Sequence, residues 1–361
     1  MNNQQHPETK ECRTASRGSV LIIALWALFL LTTFALQMGV IMRQKITLAT
    51  RLDTRDKLFF IAEAGVKTAV AEVRKEDERS DIDCLYESWG NSPVHFREIP
   101  VDKGYFTVGY RYPEGGGLKA RYGMMDEETK ININTADADT LMRLLEKVAG
   151  LNADEATQTA YAIVDWRDGD SFYQHPQYGA EDADYEDLPA PYEAKDNDFE
   201  VVDELLLVKG INRDIFEKLR DFVTVYGAGQ ININTVPADV LGVLGLTEKG
   251  IEDLQSFRRG ADGLEGTPDD GVFMAPEEIL TKLAEFTTLT ADDEVLLRNR
   301  IDRNFFSVKS GYFRVKSLAR LNGVDALALE IVAVVDRSGY IHYWREYFDI
   351  KDTNSHGKSK T

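Results

Sequence analysis

The stretch Ser19–Met42, SVLIIALWALFLLTTFALQMGVIM, carries no charged residue over 24 positions, and its meaning depends on what flanks it. At about 1.5 Å of helix rise per residue it is long enough to cross roughly 30 Å of hydrocarbon. A secretory signal would have a shorter apolar core followed by a small-x-small site, and Ala35-Leu36-Gln37 is a poor match to one. Helical sequence continues beyond the run. Leu48, Leu52, Phe59, Ala62, Val66, Val70 and Val73 form an i, i+3/i+4 stripe, with Arg51, Arg55, Lys67, Glu72 and Arg74 on other faces. No proline occurs between Ser19 and Pro93. The pattern predicts one helix from about Ser19 to Lys75, on the order of 85 Å long. Its first half is apolar all round. Its second half is amphipathic and suited to a globular domain along one side.

The whole chain has 361 residues, 42 Lys and Arg against 61 Asp and Glu, and a net charge of −19. Such a polyanion repels nucleic acid and anionic surfaces and tolerates cations. Cys12 and Cys84 flank the apolar run, so a disulfide between them is not expected, and no Cys/His spacing suits zinc. GxSxG, HExxH and P-loop motifs are absent, which excludes the commonest enzyme signatures.

After the long helix, YFTVGYRY and LKARYGMM, separated by PEGGG, predict a hairpin or two neighbouring strands. Strand-like sequence returns in FFSVKSGYFRVKSLARL and in ALALEIVAVVDRSGYIHYWREYF, where DRSG is a turn. Between these regions the pattern is helical. Strands on both sides of a helical block predict an insertion into an α/β domain. The domain boundaries that follow are 1–18 leader, 19–42 membrane half of the helix, 43–130 with 301–350 α/β domain, 131–300 inserted helical domain, and 351–361 polar tail. The block holds an internal repeat: KININTADADTLMRLL from Lys130 recurs as QININTVPADVLGVLG from Gln230, with Thr135 and Thr235 as expected helix N-caps. Turns at Ala149-Gly150-Leu151 and Val208-Lys209-Gly210-Ile211 have the helix-hairpin-helix pattern. Such hairpins often bind DNA, but here Asn152, Asp154, Glu155 and Asp214 surround them, which points to packing or protein contact.

Two acidic loops are candidate cation sites. Residues 165–204 hold 14 Asp and Glu against Arg167 and Lys195. Asp165, Asp168 and Asp170 are closely spaced, and Glu181, Asp182 and Asp184 can return to meet them. In RRGADGLEGTPDDGVF, Asp262, Glu265, Asp269 and Asp270 sit among Gly260, Gly263, Gly266 and Gly271, where glycines allow carbonyls to turn toward a cation. All-oxygen donors suit Ca²⁺ rather than zinc, without EF-hand spacing. Of the two, the second loop gives the sharper expectation.

The N-terminal architecture resembles the type IV pilin-like proteins, whose short basic leader ends in glycine and is cut before the apolar helix by prepilin peptidase. Lys10, Arg13, Arg17 and Gly18 fit that leader, with cleavage between Gly18 and Ser19. Two positions depart from the pattern: the first mature residue is Ser19 rather than Phe or Met, and the fifth is Ile23 rather than Glu. Loss of that Glu, together with the order of ININTA, IVDWRDGD, GAEDADY, VDELLLVKGI, ININTVPADVL, GTPDDG and FFSVKSGYFRV, resembles the minor pseudopilin K family of type II secretion. The resemblance implies an α+β fold, with a long N-terminal helix packed on an antiparallel sheet and a large inserted all-α domain. It further implies bound calcium and no enzymatic activity. The implied role is to cap or initiate a periplasmic pseudopilus with minor pseudopilins I and J, and with H, from a single-pass inner-membrane anchor. Arg43, Lys45, Arg51, Arg55 and Lys57 after the span outnumber the basic residues before it, yet a leader cut by prepilin peptidase must face the cytoplasm. The competing expectation is a membrane-anchored helix-hairpin-helix protein for DNA uptake.

Overall fold

The computed structural model describes residues 17–77, 80–114, 117–186 and 188–348. The expected leader, save its last two residues, and the expected 351–361 tail lie outside them. The chain divides into two units at Lys57/Leu58, and helix α1 (Arg17–Asp77) contributes to both.

In the first unit the large apolar side chains between Val20 and Met42 are exposed. The hydroxyls of Thr32 and Thr33 donate to the Phe29 carbonyl, which lets polar atoms sit in an apolar segment at little penalty. Among the described residues this is the one helix long and apolar enough to cross a membrane. Leu48 and Leu52, expected on the packed stripe, are exposed. The stripe that packs begins later, at Leu58.

In the second unit Leu58, Ile61, Ala62, Val66, Ala69 and Val73 of α1 are buried against an antiparallel sheet. Each buried aliphatic side chain contributes roughly 1.5–3 kcal/mol. The short helix α2 (Pro93–Phe96) precedes the sheet. Its strands run β1 (Ile99–Val101), β2 (Gly104–Val108), β10 (Tyr312–Leu321), β11 (Val324–Asp336) and β12 (Ile341–Phe348), with β5 (Met125–Asp126) also pairing with β10. Along β10 burial alternates, so Phe313, Val315 and Ala319 face the helix. Gly65 is required here: a Cβ would run into Ser317 and Phe106, and the Ser317 hydroxyl donates to the Ala62 carbonyl at 2.8 Å. The expected hairpin forms only in part. β3 (Tyr110–Glu114) pairs with β4 (Gly117–Arg121), but the YFTV half joins β10 in the main sheet. The chain changes partner at Gly109, whose missing Cβ admits the Arg121 carbonyl.

The helical region has its own core, distinct from the helix–sheet core. It is a tandem pair. The first copy runs β6 (Ile131–Asn132), α3 (Ala138–Leu144), a π turn, α4 (Ala153–Arg167), α5 (Asp182–Glu186), a 3₁₀ turn at Val202–Leu207, α6 (Arg213–Leu219) and β7 (Val223–Thr224). The second runs β8 (Ile231–Asn232), α7 (Ala238–Leu244), α8 (Glu248–Arg258), α9 (Ile279–Phe286), α10 (Ala291–Asp302) and β9 (Phe306–Ser307). Each copy closes with a two-residue parallel bridge, β6 to β7 and β8 to β9.

The repeated Ile-Asn-Ile-Asn-Thr explains the likeness. Asn132 and Asn232 accept from the amides of Asn134 and Asn234, fixing a turn. Asn134 then pairs with both the amide and the carbonyl of Phe199, at 2.8 and 3.0 Å. Asn234 does the same with Phe273, at 2.9 and 3.0 Å. Thr135 and Thr235 do not cap, contrary to expectation. The caps fall two residues later, on Asp137, whose carboxylate accepts from the Thr140 amide, and on Pro237. Thr235 instead donates to Asp126 at 2.6 Å, as does Ser310.

That buried contact is a polar lock between the tandem pair and the sheet. A second joins Glu127, Lys130 and Arg314, with the Thr224 hydroxyl donating to Glu127 at 2.8 Å. The fold is α+β, a long N-terminal helix on an antiparallel sheet with a helical insertion.

Candidate functional site

The helical hairpins decide whether nucleic acid is a fitting ligand. Gly150, Gly210 and Gly245 occupy left-handed backbone at three equivalent turns, with φ of 77°, 93° and 103°. The third, at Leu244-Gly245-Leu246, was not singled out from sequence. Asn152, Asn212 and Thr247 follow these turns, and each side chain accepts from the first amides of the next helix. Part of the amide set a phosphate would use is thus already taken. The first turns of those helices carry Asp154 and Glu155, Asp214, and Glu248. Like charge at these positions opposes phosphate.

The two acidic loops leave the tandem pair at corresponding places. The first departs after Arg167, whose guanidinium donates to the carbonyls of Ile133 and Ala136. The second departs after Arg258, which donates to the Val236 carbonyl. They return at Phe199 and Phe273, the residues held by the repeated asparagines.

In the first loop the predicted carboxylates separate into two groups. Asp165 is fully buried and accepts from the amides of Gln174 and Ala180, at 3.0 and 2.9 Å. Asp170 accepts from Phe172, and Asp182 from Ala194. These three organise the backbone. Asp168 and Glu181 are different: all four of their carboxylate oxygens are buried and have no hydrogen-bond partner, and the same holds for one oxygen of Asp196. Glu181 is only 3% exposed. Burial, then the charges of Asp165, Asp168 and Asp196, push its carboxyl up to about 7. Asp168 and Asp196 are raised too, by burial first; at Asp168 the Gln174 side chain opposes the rise while Asp170 and Asp196 add to it, and at Asp196 the charges of Asp182 and Asp170 add to it. Asp184 is neutralised instead, by Lys209 at 2.6 Å and the Tyr173 hydroxyl.

Asp196 was not singled out from sequence. Its signal is structural: it holds a left-handed φ of 50° at a non-glycine position, where strain needs a compensating contact. The indole nitrogen of Trp166, beside Tyr185 and Tyr192, is also buried without a partner. Uncompensated buried carboxylates are costly, and a hard cation that accepts several oxygens is the chemistry that relieves them. Among the described residues, however, no three His, Cys, Asp or Glu side chains converge closely enough to hold one ion. The donors are assembled in one loop and not closed on a common centre.

The second loop is organised the other way. Asp269 accepts from the amides of Ala261 and Asp262 and from the Thr267 hydroxyl. Asp270 accepts from Gly266 and Thr267, Asp262 from Leu264, and Glu265 lies 2.9 Å from the buried Arg258 guanidinium. The Thr267 hydroxyl, then the amides, hold Asp269 below its usual range. The glycines were expected to turn carbonyls inward. At Gly260, Gly263 and Gly266, all left-handed, the loop instead turns amides toward its own carboxylates.

The expected cleavage site, Gly18–Ser19, lies in the opening turn of α1, and Ile23 is an exposed residue on that helix.

The family model described as type II secretion system (T2SS), protein K, matches residues 123–228. Type II secretion system protein K of Pectobacterium carotovorum subsp. carotovorum is 28% identical over 232 residues, 62% of this chain and 68% of that protein. The protein K of Aeromonas hydrophila is 25% identical over 324 residues, 86% of this chain and 90% of its own. The fold matches a chain in the crystal structure of the GspK-GspI-GspJ complex from the type 2 secretion system of enterotoxigenic Escherichia coli. The TM-score is 0.62 at 17% identity, covering 83% of this chain and 99% of that one. By family model, curated relatives and fold, the chain matches the type II secretion system protein K family.

Proposed function

We propose that this protein is the minor pseudopilin at the tip of a type II secretion pseudopilus, capping and initiating assembly with minor pseudopilins I and J, and with H. In this reading prepilin peptidase cuts between Gly18 and Ser19. Val20–Met42 anchors the chain in the inner membrane and then lies among like helices, while the sheet and tandem helical pair stand in the periplasm. The observation that carries it is Ile23, in an apolar surface with no carboxylate between Val20 and Met42. A Glu in lipid needs a partner, which in pilin-like assemblies is the terminal amine of the neighbouring subunit. A subunit with nothing ahead of it has no such amine to neutralise, so an apolar residue is the stable choice. A helical pair locked to the sheet through Asp126 and Glu127 gives that end a rigid bulk that obstructs further addition.

Calcium is part of the proposal. The buried carboxylate oxygens of Asp168, Glu181 and Asp196, not closed on a common centre in the metal-free chain, are the ones it would draw together, with Asp165 positioning the loop. Its chemistry is neutralisation and cross-bridging of the loop between α4 and Phe199. Site-specific cross-linking in assembling cells tests the tip role. Links from the tandem pair to I and J at one end of the pseudopilus are expected, as is a mature N-terminus at Ser19. Links distributed along the shaft, or a native chain that still begins at Met1, would overturn it. An Ile23→Glu chain should still be cleaved.

A further inference from the structure

Where the opening of the first repeat meets the close of the second there is a pocket of about 230 Å³, between Asp137 and Thr140 on α3 and Arg300 and Phe305 at the end of α10. Arg300 is 9% exposed, and its guanidinium lies 4.4 Å from the Phe305 ring centroid. Among the described residues that guanidinium has no hydrogen bond and no ion pair. Buried guanidinium groups are ordinarily matched by a carboxylate or several carbonyls. Arg143, which also acts on Arg300, is engaged: its Nε donates to the Val243 carbonyl at 2.8 Å. Asp137 and Asp139 attract Arg300, and Arg143 and Arg303 repel it. Both aspartates are exposed, so solvent and salt screen them, and Asp137 already accepts from the Thr140 amide. Of the charged residues that line the pocket, Arg300 and Arg303 against Asp137 leave one positive charge in excess.

We infer that this pocket binds a carboxylate through Arg300. The planar fork, stacked on Phe305, suits two-pronged recognition of a planar anion. One negative charge balances the excess, whereas a phosphate dianion would bring uncompensated charge toward Asp137. The carboxylate is either a free small acid or the C-terminus of a polypeptide. The site is independent of the acidic loops and of the tip assignment.

The test is thermal unfolding of the full-length chain in detergent, with sodium acetate against sodium chloride at equal ionic strength. Saturating acetate should raise the wild-type midpoint by about 2–4 °C, and inorganic phosphate by less. Arg300→Met should abolish that rise while unfolding at or above the wild-type midpoint without acetate, because an unmatched buried charge has been replaced by an apolar chain. Should that variant fail to fold, Arg303→Gln, on an exposed residue, should reduce the acetate shift and leave the acetate-free midpoint unchanged. A short peptide with a free C-terminus, compared with its amide, separates the two sources. Stronger stabilisation by the free-terminus peptide than by acetate identifies a polypeptide ligand, and acetate acting alone identifies a free acid. No acetate shift in wild type, an equal shift in Arg300→Met, or phosphate matching acetate would each overturn the assignment.

Discussion

Residues 168–198 and 259–272 are two loops grown from one scaffold, and they handle negative charge in opposite ways. Both leave a helix at an arginine bound to turn carbonyls and both return to a phenylalanine clasped by a repeated asparagine. The shorter one places three glycines in left-handed backbone and directs amides onto Asp262, Asp269 and Asp270. The longer one has Gly179 and Asp196 there instead, and Asp168 and Glu181 are left without donors. A carboxylate count therefore says little about where a cation belongs. What matters is whether the backbone has already answered those charges.

The largest expected effect concerns the clasp. Asn234 is buried and Asn134 only partly so. Asn234→Ala strands both the amide and the carbonyl of Phe273, at about 1–3 kcal/mol for each unsatisfied group. Asn134→Ala should cost about half as much, since water can reach part of that site. Urea unfolding of the two variants measures the difference, and equal losses would show that the scaffold ignores burial at this pair.

A smaller effect separates the loops by metal. Saturating calcium at about 100 times its Kd should stabilise the chain by about 2.7 kcal/mol if the ion binds only the folded state. Glu181→Gln and Asp168→Asn should remove most of that increment, and Asp269→Asn should leave it intact. Calorimetric titration with Ca²⁺ gives the same ranking through affinity. Loss in Asp269→Asn with retention in Glu181→Gln would move the ion to the second loop.

Much of the fold was legible. The uninterrupted helix, the strand pair around the DRSG turn and the helical insertion all follow from periodicity, because burial on one face writes itself into spacing. The repeat was visible too, as a turn leading into a helix, but its caps were misplaced. Thr135 and Thr235 stand where a cap belongs by composition, whereas the asparagines beside them carry the turn through contacts 65 and 39 residues away. Distant partners leave no local trace. The same limit applies to the site. Asp165, Asp168 and Glu181 could be picked out as acidic residues in one loop, but nothing local said that Asp165 is answered by two amides and the other two by none. Leu48 and Leu52 continue the apolar stripe of α1, yet burial begins only at Leu58. Periodicity gives the face and not the extent of what covers it.

The smallest effect is in pH, where the loops should differ in sign. Without metal, Glu181 has a folded-state value of about 7, above its ordinary 4.5, so the native chain holds a proton that the unfolded chain has released. Its contribution to stability rises as pH falls from about 7 toward 4.5 and is fully present below that. Asp168 and Asp196, also raised, act in the same direction. Asp269 is depressed, so its contribution is present above 3.8 and fades as pH falls through its lower folded value. Asp270 in the same loop is raised by burial and partly offsets it. Asp126 and Glu128, raised to about 6 and about 8, add background of the Glu181 sign, so the informative quantity is wild type minus Glu181→Gln. In chelator that difference in unfolding midpoint should grow on acidification from neutral pH to 5. In saturating calcium it should reverse, because a bound cation keeps the carboxylates ionised and acid then competes with the metal. A difference that is flat in chelator would mean that Glu181 is already compensated in the folded chain, and the contrast between the loops would reduce to length alone.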